Sequence, residues 1–136
     1  MQRKKGQVSI EYLIIVGFIT LLVISFLGIS LIYYNSTADK IKFNQLESFN
    51  KKILSAAENI YYAGEPSKTT ISAYLPVGME SIQILESEIV FNITTQSGNS
   101  IKSYTSNVPL NGSISPISGV KNIKLTATQN YVLIED

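Results

Sequence analysis

The chain has 136 residues, enough for one small folded unit, and a net charge of +1, which gives no global basic field for nucleic acid. It contains no Cys, His or Trp. Disulfides, thiolate chemistry, imidazole bases, the usual zinc sites and a Cys-borne lipid anchor are thereby excluded.

The near-neutral total hides an asymmetry at the start. Arg3, Lys4 and Lys5 precede a run from Tyr12 to Ile32 that holds no charge. Those 21 residues span about 31 Å as a helix, close to the hydrocarbon thickness of a bilayer. Cations flanking a first span hold that end in the cytoplasm, so the C-terminal bulk is expected outside. Glu11 stands at the edge of the run, where a carboxylate is costly unless something neutralises it. Taken alone, it also fits a carboxylate interacting with the dipole of a helix N-terminus. Gly17 and Gly28 lie about three turns apart on one face, which suits close helix packing and suits incidental membrane glycines equally well.

Tyr33 and Tyr34 suit a membrane interface, and "NSTADK" follows. Phe43, Leu46, Phe49, Ile53, Ala57, Ile60 and Tyr61 then recur at helical spacing, with Glu47 and Lys51 four apart on the other side. Gly64 and Glu65-Pro66 form a stop signal. The pattern predicts one long helix from about Val8 to Ala63, half apolar all round and half amphipathic.

Beyond residue 66 the sequence reads as strands: "TTISAYL" (69–75), "SIQIL" (81–85), "EIVFNITT" (88–95), "SIKSYT" (100–105), "KNIKLTAT" (121–128) and "NYVLIE" (130–135). "QSGNS" (96–100) predicts a hairpin turn and "NGSISPISG" (111–119) a loop. In "EIVFNITT", Ile89, Phe91 and Ile93 share one face. Some 70 residues of β structure without disulfides bury little on their own, so the sheet is expected against residues 43 to 61. The fold class is α+β, a long N-terminal helix packed against a small antiparallel sheet.

"KKGQVSIEYLII" resembles the processing site of archaeal class III signal peptides, the hallmark of type IV pilin-like proteins. That pattern is a short basic leader ending in Gly, then Q-x-S-x-E-x-x-x-L. Lys5, Gly6, Gln7, Ser9 and Glu11 fall in register, and Ile15 stands where the pattern has Leu. The resemblance implies cleavage between Gly6 and Gln7 by a membrane prepilin peptidase, with Ser9 in the recognition site. By itself Ser9 also suits a helix N-cap.

The implied organisation is a leader (1–6), a transmembrane and filament-core helix (7–34), its amphipathic continuation (35–64) and an extracellular β-rich head (65–136). The precursor would be a single-pass membrane protein with a cytoplasmic N-terminus. The mature chain would sit in a surface filament serving adhesion or attachment, with other pilin subunits and the assembly machinery as partners. Losing Arg3, Lys4 and Lys5 takes the side-chain charge from +1 to −2 and creates a new amine on Gln7. The resemblance implies a place for Glu11 as well: its carboxylate could pair with that amine on a neighbouring subunit and set register.

"NST" (35–37), "NIT" (92–94) and "NGS" (111–113) fit the N-glycosylation acceptor, with Asn92 and Asn111 the better placed and Asn35 close to the span. Glu86 and Glu88 fit a shared cation or, more simply, solvated edge charges that discourage strand pairing. No nucleophile motif, phosphate loop or dinucleotide fingerprint occurs, so a non-enzyme without a cofactor is expected.

Two other readings stand beside the filament subunit. "STA" (36–38) is small-x-small, so a conventional peptidase cut after Ala38 would release a soluble domain, at the expense of the first turn of the amphipathic helix. A never-cleaved single-pass protein would instead present residues 39–136 as a binding module. Tyr61, Tyr62, Tyr74 and Tyr104 would be its contacts, unless they serve helix–sheet packing.

Overall fold

A computed structural model describes residues 4–96 and 98–136, with the side chains of residues 4–8, 35 and 36 left aside. Arg3 of the basic leader and Ser97 of the expected turn lie outside the described residues. The elements in order are helix α1 (Lys4–Ala63) and strands β1 (Lys68–Leu75), β2 (Met79–Leu85), β3 (Glu88–Thr95), β4 (Gly98–Thr105), β5 (Leu110–Gly112), β6 (Gly119–Ala127) and β7 (Val132–Glu135). The α+β class expected from the sequence holds. The chain forms two compact units, one up to Ala38 and one from Asp39 to Asp136. Residues 39–63 of α1 therefore belong with the strands.

Helix α1 ends as its sequence dictates. Gly64 takes a φ of +80°, a conformation that side-chain-bearing residues avoid, and its N–H donates to the carbonyls of Ile60 and Tyr61 at 3.1 Å each.

The β part divides into two sheets where one was expected. One has the order β1-β6-β7-β5 and the other β2-β3-β4. All pairings are antiparallel except β5 with β7, which is parallel. "NGSISPISG" is accordingly not all loop: Asn111 and Gly112 belong to β5, and Gly119 opens β6. Gly112 has a φ of +127°, and a Cβ there would collide with the Ile134 carbonyl, so only glycine lets β5 approach β7.

One core joins the helix to both sheets. Leu46, Phe49, Ile53, Ala57 and Ile60 are buried against Ala73 and Leu75 of β1, Ile89 and Phe91 of β3, Ile123 and Leu125 of β6, and Val132 and Ile134 of β7. Phe91 meets Phe49 edge to face at 6.2 Å and Tyr104 at 5.8 Å. Phe43 and Tyr61, the ends of the expected stripe, are half-buried. The strands alternate with period two, as in β3, where Ile89, Phe91 and Ile93 turn inward and the intervening residues outward.

Candidate functional site

The first compact unit is helical from Lys4 and carries the apolar run. Every large apolar side chain from Ile10 to Tyr34 is exposed, between 41 % and 73 %. Among the described residues, chain neighbours aside, no side chain lies within 4 Å of where a Cβ on Gly17 or Gly28 would stand. A surface this large and uniform is not one that water-soluble monomers leave open. Two hydroxyls inside the run are satisfied within the helix: Thr20 donates to the Val16 carbonyl and Ser25 to the Leu21 carbonyl, each at 2.8 Å. Such back-bonding removes the polar cost of placing Ser and Thr in hydrocarbon. Among the described residues this is the one helix long and apolar enough to cross a membrane.

The stretch that resembles a processing site lies at the start of this helix. Lys5, Gly6 and Gln7 are helical in backbone, while their side chains fall outside the described set. Ser9 and Glu11 are exposed, and Ile15 is 56 % exposed. Successive helical positions turn by about 100°, so Gln7 and Glu11, four apart, share a face.

The second unit ties its helix segment to the sheets through polar contacts that the sequence did not suggest. The Asp39 carboxylate accepts from the Gln96 N–H at 3.2 and 3.3 Å, and one turn later Lys42 donates to the Thr94 carbonyl at 3.3 Å. Both grip the β3–β4 hairpin. Glu58 accepts from the Asn107 amide at 2.7 Å. None carries a local sequence signal, because the partners stand 49 to 57 positions away.

On the outer face of the three-stranded sheet, Glu80 is brought round by a register shift between Met79 and Ser81. It accepts from Asn92 at 2.8 Å, Thr94 at 2.9 Å and Asn99 at 2.9 Å. Asn92 thus sits on the central strand with its amide nitrogen engaged. Asn111 is exposed on β5, and the side chain of Asn35 lies outside the described set. Glu88 is not an edge charge: β3 is paired on both sides, and Glu88 accepts from the Ser103 hydroxyl. Tyr61 and Tyr104 do pack on the core as the simpler expectation had it, whereas Tyr62 is 75 % and Tyr74 45 % exposed.

Two ion pairs occur among the described residues. Burial pushes the Asp136 carboxyl up, but the Lys121 ammonium at 2.5 Å and the Ser115 N–H outweigh it and hold the group below the usual carboxylate range. Exposed Glu47 is held low by its hydrogen bond to Lys51 at 2.7 Å, and Lys51 is raised in return. Burial raises the Tyr104 phenol. Among the described residues no group of acidic, His or Cys side chains is placed to hold a metal ion. Comparison of the chain with family models, with characterised proteins and with solved structures finds no match.

Proposed function

We propose that the chain is a type IV pilin-like structural subunit. It is made as a membrane precursor with its N-terminus in the cytoplasm and cut between Gly6 and Gln7 by a prepilin peptidase. The mature chain then assembles with other pilin subunits into a cell-surface filament for adhesion or attachment. What carries the reading is the place of the processing pattern, on the basic side of the charge-free run rather than beyond it. A cut there keeps the apolar helix as part of the mature chain.

The exposure of that helix on every side supports the reading. Lipid covers it in the precursor and neighbouring helices cover it in a filament. The transfer is driven by packing, since lipid is already apolar. Glu11 then pairs with the new Gln7 amine of a neighbour, which matches charge only at the correct axial step. The head has a structural role and no catalytic one.

One observation favours a second reading, a secreted domain released after Ala38. The boundary between the two compact units falls at Ala38 and Asp39, so that cut would leave the head whole, with the Asp39 and Lys42 grips retained. The expected loss of a helical turn therefore does not weigh against it.

The N-terminal residue of the mature protein discriminates the readings. Gln7 is the expected result; Asp39 would identify a secreted domain, and Met1 an uncleaved membrane protein. Gly6→Val should crowd the peptidase subsite and leave precursor in the membrane. Mature Gln7 at wild-type level in that variant would overturn the assigned site.

A further inference from the structure

We propose that Asn111 is the N-glycosylation site of the head, and that the cleft beside it seats the first sugar. The inference rests on the outward orientation of the head in the proposed function, and on nothing else in that reading.

Three acceptor triplets occur in the chain, and the fold treats them differently. Asn92 lies mid-strand in β3, paired on both sides, with its amide nitrogen donating to Glu80 at 2.8 Å. That nitrogen is the atom a saccharide must be joined to, and in the folded head it is committed. Asn35 stands three residues beyond the end of the charge-free run, outside the head.

Asn111 is exposed on β5, the outer strand of its sheet, with Leu110 before it turned into the core. Its side-chain oxygen accepts from the Gly112 N–H at 2.7 Å. This leaves the amide nitrogen without a protein partner among the described residues.

The triplet itself separates fold from modification. Gly112 is fixed by structure, since β7 leaves no room for a Cβ. Ser113 is exposed, and only its backbone N–H is used, donating to the Ile134 carbonyl at 3.1 Å. Its hydroxyl has no partner among the described residues. The fold therefore assigns the hydroxyl no task, while the acceptor triplet requires one at that position.

Beside Asn111 is an open cleft of about 440 Å³, lined among others by Leu85, Glu86, Pro109, Asn130 and Tyr131. The volume falls in the range of small-molecule sites. Tyr131, Leu85 and Pro109 offer apolar faces to the C–H side of a sugar ring, and Glu86 and Asn130 offer polar groups to its hydroxyls.

The co-reactant is a saccharide activated at its anomeric carbon on a lipid-linked phosphate, presented by a membrane glycosyltransferase on the outer face. The Asn111 nitrogen forms a bond to the anomeric carbon as the bond from that carbon to the phosphate oxygen breaks. The phosphate leaves with the electron pair and the amide loses one proton; nothing is oxidised or reduced.

The test is mass spectrometry of peptides covering Asn92 and Asn111, on full-length chain made in an archaeal host that glycosylates exported proteins. The expected result is saccharide on Asn111 and none on Asn92. It should be abolished in Ser113→Ala and retained in Ser113→Thr, and when made in a host without glycosyltransferase the three proteins should melt together because the Ser113 hydroxyl supports nothing. Unmodified or merely deamidated Asn111, or saccharide on Asn92 alone, overturns the inference.

The N-terminal residue and protease accessibility of the head on intact cells are read from the same preparation. A Gln7 terminus with an accessible but unmodified head overturns this site and leaves the filament subunit standing. Saccharide on Asn111 of a chain that still begins at Met1 does the reverse. A head that proteases cannot reach from outside overturns both.

Discussion

Residues 12–32 and residues 46–60 are stretches of one helix with opposite needs. The second carries Leu46, Phe49, Ile53, Ala57 and Ile60 on one face, interleaved with Glu47, Lys51, Lys52 and Glu58, and two sheets cover the apolar face. The first has no charged interleaving, and its large apolar side chains are exposed among the described residues. A helical stretch with a polar face can complete its core inside its own chain. One that is apolar all round has to find its cover in lipid or in other molecules. The head's stability and the covering of the apolar segment should therefore respond to different substitutions.

The sharpest way to break that division is at Glu11. If the proposed pairing with the Gln7 amine holds, Glu11→Ala leaves an unmatched buried amine, costing about 3–5 kcal/mol per subunit, repeated along the filament. Processing to Gln7 should remain near wild type while filament yield collapses and the head's melting transition stays put. Abundant filaments from that variant, counted by electron microscopy, would remove the role in register.

Phe91→Ala is the counterpart in the head. Phe91 is fully buried between Phe49 and Tyr104, and its truncation should cost about 3–5 kcal/mol of head stability. Denaturant unfolding of the full chain in detergent micelles, followed through the tyrosines, would measure it. A midpoint unchanged from wild type would mean that the helix and the sheets do not share this core.

A matched pair of acid substitutions comes next. Ile24→Asp puts a carboxylate in the middle of the apolar run, which costs about 2.5–3.5 kcal/mol for membrane insertion, whereas Ser55→Asp on the exposed side of the head's helix should shift stability by no more than about 0.5 kcal/mol. Membrane fractionation should show a clear loss for the first variant and none for the second. Equal behaviour of the two would erase the distinction between the halves.

How legible these regions were in the sequence follows the same line. The apolar run is readable because the absence of charge over a bilayer's thickness is a composition signal that needs no partner. The buried stripe from Leu46 to Ile60 is readable because helical spacing is local, although the pattern passes over Asn50, which is buried with it. Strand β3 is readable from its alternation.

What escaped notice is long-range. A three-residue strand made of Leu-Asn-Gly looks like a turn until β7 pairs with it. The split into two sheets depends on which strands are neighbours, and Glu88 passed for an edge charge because edge and centre are not local properties. Asp39 and Lys42 fall within the expected helix, but their grip carried no signal because the hairpin they hold lies more than fifty positions on. The pair Gly6 and Gln7 is different again. No physical property of those residues marks a cut, and only the resemblance of "KKGQVSIEYLII" to a known processing site singles them out.

The smallest expected effect lies at the far end of the head, where Asp136 and Lys121 hold the segment after β5. Both Asp136 oxygens accept from the Ser115 N–H at 3.1 Å, and one of them takes the Lys121 ammonium. Because the folded carboxyl is held below its unfolded value, the contact stabilises the head fully above the ordinary Asp range. That contribution is lost as pH falls through the folded pKa. Asp136→Asn should flatten this acid limb of the head's stability and leave neutral-pH membrane insertion unchanged. The Ser115 amide resonance should titrate with the carboxyl in the wild type and cease to do so in the variant. A Ser115 signal that moves identically in both would show that the segment is held by the β5–β7 pairing alone.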